Sequence, residues 1–259
     1  MDFRLKCEKM KKVLFLLFIP FMSFGQTAAL TDMAISVEED FYRKDLNTLV
    51  LPVISTSNPV IDKKVNSKIR KKIFEEYYSS VTVDSVKDDL IKMVEEGLIS
   101  MKYATTFNKN GILSLQIMEE WIEPVKITKT VYLNFDLRTG GLLKLSDLIL
   151  DESGEAFKDN VRKKNSRIIE AYEENLGYQL EDEEIDEAAY ESAIGAVSKY
   201  CRYSVQFGNF MLQDSALEIV NYCKFPAAIK TKAPEVQLAF TYESLKTQLN
   251  SEMAKRLLE

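Results

Sequence analysis

The chain has 259 residues, 46% hydrophobic and 29% charged, with a formal net charge of −6 and no histidine. That is enough apolar material for one large domain or two small ones. Without imidazole, Ser-His-Asp triads, Cys-His pairs, HExxH zinc sites and His-based deaminase chemistry are all excluded, and no dinucleotide-binding or P-loop fingerprint is present.

At the N-terminus Lys9, Lys11 and Lys12 precede an apolar run, Val13 to Phe24, broken only by Pro20 and Ser23. Ser23-Phe24-Gly25 puts small residues at the −3 and −1 positions of a cut before Gln26. This order of charge, apolar run and small residues reads as a cleavable signal peptide over residues 1–25. Met10 offers a second start, because MKKVLFLLF is a compact signal opening. The run is about half the ~20 residues that a spanning helix needs, so no stable membrane span is expected after cleavage. Cys7 lies before the run and no cysteine follows it near the cut, which argues against a lipoprotein anchor. The chain is therefore expected to be secreted or periplasmic.

Cleavage removes Arg4, Lys6, Lys9, Lys11, Lys12, Asp2 and Glu8, leaving 29 basic against 38 acidic residues and a formal charge of −9. Such a surface argues against nucleic acid, which needs a clustered basic face, and against an anionic membrane. It suits a basic protein partner, or simple solubility.

Residues 26–45 read as a linker or a loosely held first strand, and 46–259 as the folded domain. Leu46 to Ser55 predicts a strand with Pro52 at an edge or bulge. Asn58-Pro59 opens a helix, with Ile61, Val65, Ile69, Ile73 and Tyr77 as its apolar stripe. A second helix starts at Asp84-Ser85, with Asp88 completing a capping box. Met101 to Phe107 alternate up to Asn108-Lys109-Asn110-Gly111, a strong hairpin signal, and Leu113 to Trp121 return from it. Glu123-Pro124 breaks the chain. Val131 to Leu137 then form a strand, Arg138-Thr139-Gly140-Gly141 a turn, and Ser146-Asp147 the cap of a short helical turn. Gly154–Leu176 and Glu181–Tyr200 read as helices, the second with an acidic start that suits the helix dipole. Strands follow near Tyr203–Phe207, Phe210–Leu212, Leu217–Tyr222 and Val236–Phe240, with Pro226 and Pro234 bracketing a loop. Tyr242 opens a terminal helix carrying Leu245, Leu249, Met253 and Leu257. Helices and hairpins come in blocks, the α+β pattern of an antiparallel sheet covered by helices.

Cys201 and Cys223 can pair in an oxidising compartment. A tight turn at Asp214-Ser215 would set Cys201 opposite position 228, however, so the spacing favours two unpaired cysteines. No metal or cofactor site is expected: neither cysteine has zinc spacing, and the acidic run Glu181 to Glu187 lacks the glycine turn of a calcium loop.

Carboxylates are the remaining candidates for chemistry. Glu119-Glu120 precede Trp121, and Asp136 and Asp147 flank the glycine turn; paired acids beside an aromatic can bind or cleave a sugar. The simpler reading makes Asp136 a solvent-facing strand residue and Asp147 a cap. Trp121, Tyr132, Phe210, Tyr222 and Phe225 can likewise be core or binding surface. The candidate ligand-binding set is Trp121, Tyr132, Asp136 and Tyr222, with no catalytic residue assigned.

Four segments, in order, resemble one family: LVLPVISTSNPVIDKKVNSKI, YATTFNKNGILSLQI, VYLNFDLRTGGLLKLSDLI, and FMLQDSALEIVNY followed by VQLAFTYESL. The chain is similar, from about Leu46 to Leu249, to the RsiV-like extracellular domain family. That family includes the lysozyme-binding domain of the anti-sigma factor RsiV and the non-catalytic N-terminal domain of the deacetylase PdaC. The resemblance implies an RsiV-like α+β domain that binds a ligand outside the cytoplasm, such as a lysozyme-like protein or peptidoglycan. The alternatives are a carboxylate-dependent glycan hydrolase and a structural envelope protein. The chain has no histidine to serve as the deacetylase's metal ligands, and no sigma-binding segment is expected. The ending SFGQ of the signal is similar to those of secreted Bacteroidetes proteins.

Overall fold

The structure is a computed structural model that describes residues 27–35, 49–74, 86–123, 125–202, 204–223, 225 and 233–259. The expected signal peptide, the helix start at Asp84-Ser85 and the breaks at Pro124 and Pro226 lie outside these residues. Six strands form one sheet in chain order: β1 (Ala29–Ile35), β2 (Leu49–Ser55), β3 (Leu98–Lys109), β4 (Ile112–Glu123), β5 (Val125–Asp136) and β6 (Gly141–Leu142). All pairings are antiparallel except β2–β3, a single parallel bridge from Leu49 to Met101. Strands β7 (Phe210–Leu212), β8 (Ala216–Tyr222) and β9 (Glu235–Thr241) form a second, antiparallel sheet. The class is α+β, as the pattern of elements implied, but the strands divide between two sheets.

Each sheet has its own helices and core. The stripe Ile61, Val65, Ile69 and Ile73 of α1 (Pro59–Phe74) buries against β2 to β5 together with α2 (Val86–Glu96). The second core joins β7, β8 and β9 to α4 (Gly154–Glu181), α5 (Glu187–Tyr200), α6 (Tyr242–Leu245) and α7 (Ser251–Leu258). Between β6 and α4 lies the short α3 (Leu145–Leu148). The β3–β4 turn is two residues long, with Asn110 at φ 54° and Gly111 at φ 73°. This is the left-handed pair that an Asn-Gly hairpin supplies without strain.

Four expectations change. The acidic run does not open a helix. α4 continues to Glu181, Glu183 takes a left-handed φ of 58°, and Asp186 caps α5 by accepting from Ala189 N at 2.7 Å. Charges repelled along one helical turn are spread instead over the connection. The strand near Tyr203–Phe207 does not form in residues 204–207; Gln206 N donates to the Asn221 side chain at 3.2 Å rather than to a ladder. The terminal helix is two helices. Leu249 bridges to Ile149, and Asn250 caps α7 by accepting from Met253 N at 2.8 Å.

The fourth change is the disulfide. Cys201 and Cys223 are joined, with Cα atoms 4.9 Å apart. The hairpin count failed because Cys201 is not in a strand: it ends α5, which packs its last turn against the end of β8.

Candidate functional site

The two sheets meet along β5. Its odd residues Ile127, Leu133 and Phe135 point into the core shared with α1. The period-two alternation therefore turns Tyr132 and Asn134 toward the second sheet. There Asn134 Nδ2 donates to Phe210 O at 2.8 Å, and Ser114 Oγ donates to Asn134 Oδ1 at 2.7 Å. Ser114 Oγ in turn accepts from Leu212 N at 3.1 Å. Two buried side chains of the first sheet thus satisfy backbone groups of β7 that β8 does not reach. A buried polar group is stable only when so paired.

One side-chain pair farther along, Tyr132 and Tyr222 meet across the seam, hydroxyl to hydroxyl at 2.7 Å, with rings 6.5 Å apart and 18° from parallel. Burial first, and then the bond with Tyr222, pushes the Tyr132 phenol well above its ordinary value. It is a neutral contact and no general acid or base at neutral pH.

A cleft opens on each side of this pair. The first, about 620 Å³, is walled by Tyr132, Leu142, Leu143, Leu145, Phe157, Phe207 and Phe210. Leu142 keeps 40% of its surface exposed there. The turn before it is held from α1: Lys68 Nζ donates to Gly140 O at 2.8 Å, and a Cβ at Gly140 (φ 68°) would lie 3.0 Å from Lys64 Cβ. A side chain there would be strained by the left-handed φ and would crowd Lys64, so glycine suits the approach. The second cleft, about 760 Å³, is more polar and runs along Lys126 to Val131, with Lys72 and Ile73 of α1 on it and Gln206, Asn209, Tyr222 and Pro234 also lining it.

Of the four candidate residues, Tyr132 and Tyr222 come together. Trp121 and Asp136 lie toward opposite ends of the first sheet, paired with Ile127 and Ile112 respectively. Trp121 is 1% exposed; its Nε1 donates to Glu119 Oε2 at 3.0 Å and Lys129 Nζ stands 4.5 Å above its ring. Asp136 accepts from Arg256 Nη2 at 2.8 Å. Arg256 is itself buried and also donates to Asn110 O (3.0 Å) and Gly111 O (2.6 Å), so it clamps the β3–β4 turn to α7. Asp136 and Asp147 line one hollow of about 280 Å³ with Arg256, while Glu119 lies on the second cleft. Asp147 accepts from Lys144 N at 2.7 Å and closes the first turn of α3. Among the described residues no group of acids and cysteines is placed to hold a metal ion, and no helix is long and apolar enough to cross a membrane.

Sequence reading missed Ser114, Asn134 and Arg256. The first two carried a signal, a lone polar residue between apolar ones in LSL and LNF; Arg256 carried none, since one arginine in a charged helix looks like any other.

No family model and no curated protein matches the sequence. Solved structures do match. One is a member of the DUF3298 family from Bacteroides fragilis NCTC 9343. It has a TM-score of 0.53 at 16% identity, over 88% of this chain and 94% of that one. Another is a DUF3298 family protein from Pseudomonas aeruginosa PAO1, with a TM-score of 0.51 at 10% identity over 88% and 95%. The fold is that of the DUF3298 proteins. At this level it fits a DUF3298/RsiV-like domain, the architecture that the sequence resemblance implied.

Proposed function

We propose that this DUF3298-like chain is a non-catalytic binding domain that works outside the cytoplasm and takes a basic, cell-wall-active protein of the lysozyme kind. The observation that carries the reading is the first cleft: an apolar hollow, bordered by the exposed Leu142, of a size that receives an anchoring side chain from a partner. Its lining, more apolar than a sugar site, favours a protein over the wall glycan. The −9 charge of residues 26–259 supports a basic partner by speeding encounter. The location outside the cytoplasm is supported by the Cys201–Cys223 disulfide, which persists in oxidising compartments. The lack of catalysis is supported by the partners that already hold Glu119, Asp136 and Asp147.

Calorimetric titration of residues 26–259 with hen lysozyme tests this, with soluble peptidoglycan fragments as the second arm. The expected result is heat with lysozyme, an affinity that falls as salt rises, and a loss of at least tenfold for Leu142→Asp. No heat with lysozyme overturns the proposal; heat with the fragments alone moves the ligand to the glycan.

A further inference from the structure

The second cleft has a floor of unusual composition. Strand β5 is paired with β4 along its whole length, but on its other side β6 covers only Phe135 and Asp136. The direction of the backbone can be read from two bonds. Leu143 N donates to Asn134 O at 2.7 Å, whereas Leu137 N donates to Gly111 O of the β3–β4 turn. Even-numbered residues of β5 therefore turn their N–H and C=O away from β4. The β4–β5 register has no bulge, so Lys126, Thr128, Thr130 and Tyr132 do the same. Among the described residues no backbone group pairs with them. This row of free donors and acceptors lies along the 760 Å³ cleft.

We infer that this free edge of β5 is a binding site for an extended peptide segment, which adds to the six-stranded sheet as a further strand. This site is distinct from the apolar cleft proposed above, with which it shares only Lys72 among the lining residues. Only another peptide backbone matches a row of alternating N–H and C=O groups at strand spacing, and strand addition to an open edge is an established mode of recognition. The edge is also recessed. α1 stands over one face of it with Lys72 and Ile73, and the second sheet stands over the other with Tyr222 and Pro234. A second folded copy, whose own β5 is equally recessed, cannot bring edge to edge; a single extended segment can enter.

The walls define the segment. Side chains facing the second sheet meet Tyr222 and Pro234 and are apolar. Those facing α1 meet Lys72, which is exposed and has no ion pair among the described residues, and are acidic. The cleft also carries two acids, Glu119, buried against Trp121, and Glu235, but Lys126 and Lys129 line it with Lys72, so its bases outnumber its acids three to two. The segment is thus one of alternating apolar and acidic residues. Lys126 and Lys129 on the strand itself keep unsuited edges from pairing, as lysines commonly do at open edges.

A displayed library of random dodecapeptides, panned on residues 26–259, tests the inference, with the selected peptides synthesised and titrated against variants. Thr130→Pro removes one outward N–H and leaves the β4 ladder intact, a substitution that sheet edges tolerate. Thr130→Ala keeps the N–H. The expected result is enrichment of alternating apolar–acidic peptides that bind Thr130→Ala within twofold of the parent and Thr130→Pro at least tenfold more weakly. Should Thr130→Pro fail to fold, peptides N-methylated at alternate amides supply the same reading on the parent protein, with the same tenfold loss. Failure to enrich any peptide, or equal binding to Thr130→Pro or of N-methylated peptides, overturns it. Leu142→Asp should leave peptide binding unchanged, so this result and the lysozyme result fail separately.

Discussion

The two halves of β5 have opposite characters. From Asn134 to Asp136 the strand is tied from every side. β6 pairs with it, Leu143 N donates to it, Asn134 reaches Phe210 of the second sheet, and Asp136 holds the buried Arg256. From Lys126 to Tyr132 the same strand has β4 on one side and, among the described residues, only a cleft on the other. The polar residues of the tied half serve the fold; the free groups of the open half are those left for a partner. An acid in a conspicuous turn, such as Asp136, is therefore a weaker functional pointer than an unpaired backbone.

The largest effect expected in this contrast is at Arg256. Arg256→Met takes from Asp136 its only cationic partner at hydrogen-bond distance among the described residues, frees the carbonyl of Asn110 and leaves Gly111 O to Leu137 N alone. Loss of one partner of a buried pair costs about 3–5 kcal/mol, which denaturant unfolding would read. A cost under about 1 kcal/mol would mean that the tied half is not held as described. The disulfide comes next. It closes a loop with a sequence separation of 22, so replacing both cysteines by alanine should cost about 3 kcal/mol, again by unfolding. Asn134→Ala leaves Phe210 O without its donor, at about 1–3 kcal/mol, and should loosen the seam without touching β6.

Alkaline pH probes the buried hydroxyls of β5, β3 and α6 without mutation. The phenols of Tyr132 and Tyr242 are raised well above the ordinary value near 10 by burial, and Tyr103 is pushed up to about 12 by burial and by Asp32. The folded state keeps these protons longer than the unfolded chain does. The stabilisation is complete below pH 10 and is lost as pH rises from there through 12. A melting temperature that began to fall only above pH 12 would contradict the burial of these hydroxyls. The smallest effect belongs to the open half: Thr128→Ala should change stability by no more than about 0.5 kcal/mol.

Much of the fold was legible in the sequence, because its signals were local. Asn110-Gly111 fixed a two-residue turn, and the four-residue repeat from Ile61 to Ile73 fixed the buried face of α1. Asp147 was legible as a cap, though the turn it closes starts at Lys144. What could not be read was long-range. Leu249 and Ile149 pair across about a hundred residues and split the last helix, and no periodicity within either segment announces it. The disulfide was misjudged because its geometry depends on a helix end meeting a strand end, not on hairpin counting. Tyr132 and Tyr222 were named singly, and only the fold brings them together. The open edge was invisible, since whether a strand has one neighbour or two is a property of topology.

Amide hydrogen exchange along β5 in the free protein tests the contrast most directly. The structure requires a two-residue alternation: Ile127, Lys129 and Val131, bonded to β4, should exchange slowly, and Thr128, Thr130 and Tyr132 quickly. Phe135 to Leu137 should be protected throughout. Addition of a selected peptide should then slow the outward amides Thr128, Thr130 and Tyr132 and leave Ile127, Lys129 and Val131 as they were. Uniform protection from Ile127 to Tyr132 in the free protein would show that the edge is already covered and would contradict the account.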